Sequence, residues 1–148
     1  MGKNNIMKII SHRGNINGRI EEAENRPDYI EDTIRLGYDV EIDVWIIEDT
    51  FYLGHNEPQY MVSLNWLNER KDNLWIHCKN IEAMEWFNSL YDTYNYFWHE
   101  NDTAVLTSKG YIWSYINKFI KGGITVCPNY IQVPNYILGV CTDYPDLY

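Results

Sequence analysis

The sequence is poor in cations, cysteine and proline, and it has no long apolar run. Lys and Arg number 12 against 21 Asp and Glu, leaving a net charge of −9 and an isoelectric point near 4.8. Surfaces that bind nucleic acid need excess cations to displace counterions from phosphates, so this balance argues against a nucleic-acid-binding surface. It disfavours adsorption to anionic lipid for the same reason. Three cysteines, Cys78, Cys127 and Cys141, are odd in number and lack metal-ligand spacing, which speaks against a disulfide framework or a cysteine zinc site. No apolar stretch approaches the roughly 18 residues of a membrane span. Met1–Ile6 lacks a secretory apolar segment, and Ile6 stands where a myristoylation motif has Ser or Thr. The expectation is a reduced, cytoplasmic protein with no membrane span, in which the sequon Asn101-Asp102-Thr103 is fortuitous.

What is present suits a single folded domain over residues 1–148. The chain is 45% hydrophobic and 16% aromatic, enough for one sizeable core, and it shows no internal repeat or low-complexity tract. Short apolar runs alternate with amphipathic stretches. Lys8–His12 reads as a strand, and Pro27–Leu36 as a helix with Pro in its first turn, Ile30, Thr33 and Ile34 on one face and Gly37 to end it. Tyr38–Ile46 is the clearest strand, with Phe51–His55 as its hairpin partner across Glu48-Asp49-Thr50. A helix is expected after Ser63, a strand over Leu74–Cys78, and a helix capped by Asn80 with Ile81, Met84, Phe87 and Leu90 inward. Tyr94–His99 reads as a strand, and Ala104–Thr107, Tyr111–Ser114, Ile124–Cys127 and Leu138–Thr142 as further short ones. This strand–helix alternation predicts an α/β fold with parallel strands, turning β-rich in the last third.

The polar residues gather at strand ends. All four histidines, His12, His55, His77 and His99, close an apolar run. In parallel α/β folds that end carries the ligand site, because loops and helix N-termini converge there. Glu41 and Asp43 are one residue apart on a strand and so share a face. On an isolated amphipathic strand they would face water, with Val40, Ile42 and Val44 inward. Trp45, Ile46 and Ile47 follow directly, however, so both faces look apolar apart from the two acids. Inside a barrel they would suit a hard divalent cation, Mg²⁺ or Ca²⁺. His77 and Lys79 repeat the same spacing, and His12-Arg13-Gly14 sets an imidazole beside a guanidinium whose planar fork fits phosphate.

In chain order, His12-Arg13-Gly14, Glu24-Asn25, Gly37–Val44, Gly54-His55, Lys79 and Gly139–Pro145 resemble the glycerophosphodiester phosphodiesterase family, of the phosphatidylinositol-phospholipase-C-like phosphodiesterase group. The resemblance is dense over Lys8–Pro58, then thin until the closing segment. It implies a shortened (β/α) TIM-like barrel that cleaves a small, soluble phosphodiester, and at 148 residues one with fewer than eight complete units. It would make His12 and His55 the acid–base pair and Glu41 and Asp43 the ligands of a divalent cation, with Mg²⁺ or Ca²⁺ favoured and Mn²⁺ or Zn²⁺ admitted. Arg13, Lys79, Glu24 and His77 would line the substrate side. Two positions depart from the family pattern: His77 stands where an acidic metal ligand is usual, and Asn56 follows His55 in place of Asp. Two other readings share these residues. One is a binding module for a phosphorylated ligand; the other is a hydrolase in which His77 and His99 join Glu41 and Asp43 around a transition metal.

Overall fold

In the computed structural model, which describes residues 7–90 and 93–148, helices accompany only the first half of the strand sequence. The segment Met1–Ile6, read above for targeting signals, lies outside the described residues. The chain runs β1 (Lys8–His12), α1 (Pro27–Arg35), β2 (Asp39–Ile47), β3 (Thr50–Leu53), β4 (Tyr60–Val62), α2 (Leu64–Arg70) and β5 (Leu74–Cys78). It continues with α3 (Ile81–Ser89), β6 (Asn95–Phe97), β7 (Ala104–Leu106), β8 (Ile112–Ser114), β9 (Ile124–Val126) and β10 (Gly139–Thr142). Short 3-10 turns, Lys71–Asn73 and Pro145–Leu147, complete the set.

Seven strands run parallel in the spatial order β6-β5-β2-β1-β10-β9-β8, and β7 adds antiparallel to β8. The sheet curls into a partial barrel. No ladder joins β7 to β6 among the described residues; Ser108 bridges them instead. Its amide donates to the Tyr96 carbonyl at 2.8 Å, and its hydroxyl donates to the Tyr94 carbonyl at 2.9 Å while accepting from the Tyr96 amide at 3.0 Å. Long β2 serves both walls: its first half pairs with β1, and its far end with β3 through a two-residue turn at Glu48-Asp49. Both turn residues take positive φ, the primed geometry that matches strand twist.

Two apolar layers hold the sheet. Outside, Val40, Ile42, Val44 and Ile46 pack on Ile30, Leu67, Ala83 and Phe87 of the three α-helices. Inside, Ile10, Trp75, Phe97, Trp113, Ile124 and Cys141 fill the curl, with Phe97 and Trp113 stacked at 4.6 Å. Past β6 the outer face has no α-helix among the described residues. Loop residues Phe119, Ile131 and Val133 cover Val140 and Cys127 there.

Helix α2 follows Ser63 as expected, and the Ser63 hydroxyl caps it by accepting from the Trp66 amide at 3.1 Å. Helix α3 is capped by Asn80, but its inner face differs from the one read from sequence. Phe87 is buried as expected and Met84 packs against the core, but Ile81 is 63% exposed, Leu90 is exposed, and Ala83 is buried. The Asn80 side chain explains the rotation: it accepts from the Ile46 and Ala83 amides and donates to the Ile46 carbonyl, so the strand end fixes where the helix starts.

Strand β10 approaches β1 so closely that a Cβ at Gly139 would stand 2.3 Å from the Lys8 carbonyl oxygen. Gly139→Ala should therefore lower unfolding stability by about 1–3 kcal/mol, the usual cost of overpacking. Thermal denaturation checks this, and an unchanged midpoint would refute the close packing of β1 on β10.

Candidate active site

The alternation of β2 sends its odd-numbered residues inward, so Glu41 and Asp43 enter the curl while the valines and isoleucines between them meet the helices. Glu41 is 3% exposed and Asp43 is fully buried. The amphipathic alternative, with acids in water and Val40, Ile42 and Val44 inside, is thus reversed: helices on the outer face take the apolar side.

Asp43 is the most heavily supported group. Asn25 holds it twice, its Nδ2 donating to Oδ2 at 2.9 Å and its Oδ1 accepting from the Asp43 amide at 3.0 Å. Arg13 Nε lies 3.3 Å from Oδ2, His55 Nδ1 3.5 Å from the same oxygen, and His77 Nδ1 3.1 Å from Oδ1. Burial pushes this carboxyl up, but His55, His77 and Arg13 outweigh it and hold Asp43 well below the ordinary carboxylate range. Glu41 moves the other way. Burial and the neighbouring Asp43 raise it well above its ordinary value, against weaker pulls from Arg13 and Lys79, and its Oε2 has no hydrogen-bond partner.

His12 is fixed from behind. Its Nδ1 donates to Asp143 Oδ1 at 2.9 Å, which leaves Nε2 facing Glu41 Oε2 at 3.9 Å. Burial raises the Asp143 carboxyl, yet the His12 contact and Asn15 bring it below the usual range. Asn15 donates to both Asp143 and Glu24, at 3.0 and 2.9 Å. His55 follows Gly54, whose φ of 156° and tight bend admit no side chain: a Cβ there would meet the Glu57 carbonyl at 2.0 Å. Arg13 Nη2 donates to His55 Nε2 at 3.3 Å.

A cavity of about 440 Å³ opens at the C-terminal ends of the parallel strands. His12, Arg13, Glu41, His55, His77 and Lys79 form its polar wall. The expected convergence is therefore met, with Asp43 buried beneath. Lys79 forms no ion pair among the described residues. Glu24 is not on this wall. It lies behind Arg13, 3.5 Å from Nη1, and also takes Arg19 Nε at 3.1 Å, so it acts as a buttress. His99 borders the cavity, but its ring Nε2 donates to the Asp102 carbonyl at 2.8 Å. Its own carbonyl accepts from His77 Nε2 at 2.9 Å. Ligand atoms of Glu41, Asp43 and His77 lie within 4.8 Å of one another, and the His99 ring is not among them. Sequence reading missed Asn15, Asn25 and Asp143 as site residues. Asn25 and Asp143 stood inside the quoted motifs; Asn15 carried no signal.

No family model matches the sequence, and no curated protein matches it. Among solved structures, the chain is similar to a protein from Galdieria sulphuraria described as a "putative glycerophosphodiester phosphodiesterase", with a TM-score of 0.57 and 11% sequence identity. The likeness covers 95% of each chain and at that identity establishes a shared fold. No helix among the described residues is long and apolar enough to cross a membrane.

The two carboxyls pull stability in opposite directions with pH. A raised folded value means that Glu41 supports the fold when protonated, and this support is lost as pH rises above the ordinary carboxylate range. Asp43, depressed, supports the fold above its ordinary value of 3.8, and that support is lost as pH falls. In chelator, Glu41→Gln should stabilise the protein by about 1–3 kcal/mol at pH 8, the cost of a buried unpaired group. The gain should shrink at pH 4. Thermal unfolding of both proteins at the two pH values measures it, and equal effects at both would contradict the burial argument.

Proposed function

We propose that the chain is a phosphodiesterase that cleaves a small, soluble phosphodiester by acid–base chemistry between His12 and His55, in a shortened (β/α) TIM-like barrel. The observation that carries this reading is the meeting of two oriented imidazoles, Lys79 and Glu41 on one cavity wall, with Asp43 buried beneath it. The partial-barrel likeness to a protein described as a phosphodiesterase supports it.

His12 serves as base. Asp143 accepts a hydrogen bond from its Nδ1–H, so the lone pair is on Nε2, at the cavity and able to accept a proton from the attacking hydroxyl. Asp143 also stabilises the imidazolium that results. His55 serves as acid toward the leaving alcohol. Its Nδ1 faces buried Asp43, and its Nε2 accepts from Arg13 Nη2. Nη2 is the one terminal of the Arg13 fork not set against a carboxylate. A phosphoryl oxygen that draws Nη2 away frees His55 Nε2 to take up a proton from solvent, which it then passes to the leaving alcohol. Lys79 supplies a second positive charge for the phosphate.

The donor set fits a divalent cation, because Glu41 Oε2 is buried without a partner and stands beside Asp43. Glu41 and Asp43 would hold the ion, and such an ion polarises a phosphoryl oxygen.

His12→Ala and His55→Ala should each lower turnover by about 10²–10⁴-fold, and the double variant should lose little more, since both groups serve one proton cycle. Turnover should also vanish with Asp43→Asn or in excess chelator. Hydrolysis of a panel of soluble phosphodiesters, followed by phosphorus NMR in metal-supplemented buffer, provides the test. Near-normal hydrolysis without both imidazoles would refute the mechanism, and saturable diester binding with no turnover would identify a binding module.

A further inference from the structure

His77 decides which ion the buried carboxylates can hold. It sits directly across from Asp43 in the β2–β5 ladder, with Nδ1 3.1 Å from Asp43 Oδ1. Its other nitrogen, Nε2, is 2.9 Å from the His99 carbonyl oxygen. A carbonyl only accepts, so Nε2 carries the hydrogen, and a neutral imidazole then has only a lone pair on Nδ1. Two electron-rich atoms, Nδ1 and Oδ1, therefore face each other inside a buried site. Only positive charge between or upon them makes this contact favourable.

A second proton on His77 would satisfy Asp43 and nothing else. Asp43 Oδ2 already has Arg13 and Asn25, whereas Asp43 Oδ1 and Glu41 Oε2 are both buried without a hydrogen-bond partner. A cation would serve all three residues at once, since one ligand atom from each lies within 4.8 Å of the others.

We propose that His77 Nδ1 is a metal ligand alongside Glu41 and Asp43, and that this nitrogen selects ions of the Mn²⁺ and Zn²⁺ class over Mg²⁺ and Ca²⁺. Imidazole suits the former ions, while an all-oxygen set suits the latter. The His99 carbonyl sets the tautomer and, with Phe97 stacked 5.2 Å away at 13° to the His77 plane, holds the ring orientation. The His99 ring in turn ties this loop down through Asp102 and Tyr115. The preference reverses the expectation of Mg²⁺ or Ca²⁺ drawn from the two carboxylates alone. It rests on the reading of Glu41 and Asp43 as a cation site.

The test uses the full chain, stripped of metal and titrated calorimetrically with Mn²⁺, Zn²⁺, Mg²⁺ and Ca²⁺, together with pulsed electron paramagnetic resonance of the Mn²⁺-loaded protein. Wild-type protein should show nitrogen coupling to Mn²⁺, and His77→Glu should abolish it. The same substitution should shift the Mn²⁺-to-Mg²⁺ affinity ratio by about tenfold or more toward Mg²⁺. Should His77→Glu fail to fold by circular dichroism, His77→Gln keeps the size, removes the imidazole and should also lose the coupling. Nitrogen coupling that survives loss of His77, an unchanged affinity ratio, or no binding of any of the four ions would overturn the proposal. None of these readouts depends on turnover. Nitrogen-coupled Mn²⁺ in a protein that hydrolyses no diester would leave this inference standing and remove the phosphodiesterase reading, and the converse result would do the opposite.

Discussion

Two carboxylates buried side by side on one strand are the constraint to which the surrounding structure answers. Asp43 has no exposure, and an unpaired charge there would cost several kcal/mol. It is compensated from four separate places: Arg13 after β1, Asn25 before α1, His55 after β3 and His77 on β5. One side chain thereby sets the relative positions of four segments. Apolar residues of similar size would serve stability at least as well, because buried ion pairs rarely recover their desolvation cost in full. The arrangement makes sense for a site that handles charge.

Much of this was visible in the sequence, for reasons that are local. Strand alternation put Glu41 beside Asp43, a β-branched run marked β2 and an apolar run β5, and Asn80 announced its helix by capping chemistry. What could not be read depends on contacts between distant segments. Asp143 orients His12 from 131 positions away, and nothing near either residue reports the pairing. Asn15 links two acids that are themselves far apart in sequence. The rotation of α3 that exposes Ile81 comes from a strand end 34 positions earlier. Strand β4, a three-residue partner of β3, was too short to show a period.

The uneven placement of helices divides the cavity into two kinds of wall. Helices back β2 and β5, and these strands, with β1, carry Glu41, Asp43, His77 and His12 on a braced surface. The opposite wall, from Phe97, Trp113 and Val126, is aromatic and aliphatic, and loops back its outer side. Charged groups thus occupy the half that the helices back, while the other half of the cavity presents an apolar surface.

The pairing of β1 with β10 has a consequence for synthesis. During translation β1 emerges early and gains β2 on one side, but its other edge must wait for Gly139–Thr142. While the segments between β1 and β10 are made, a strand with unsatisfied amides and carbonyls is therefore open to any extended segment nearby. The sheet cannot curl shut, and His12 cannot meet Asp143, until β10 has left the exit tunnel. Chaperone binding to nascent chains should therefore be longest at this edge, and the protein's yield in a cell should depend on how quickly its last strand arrives.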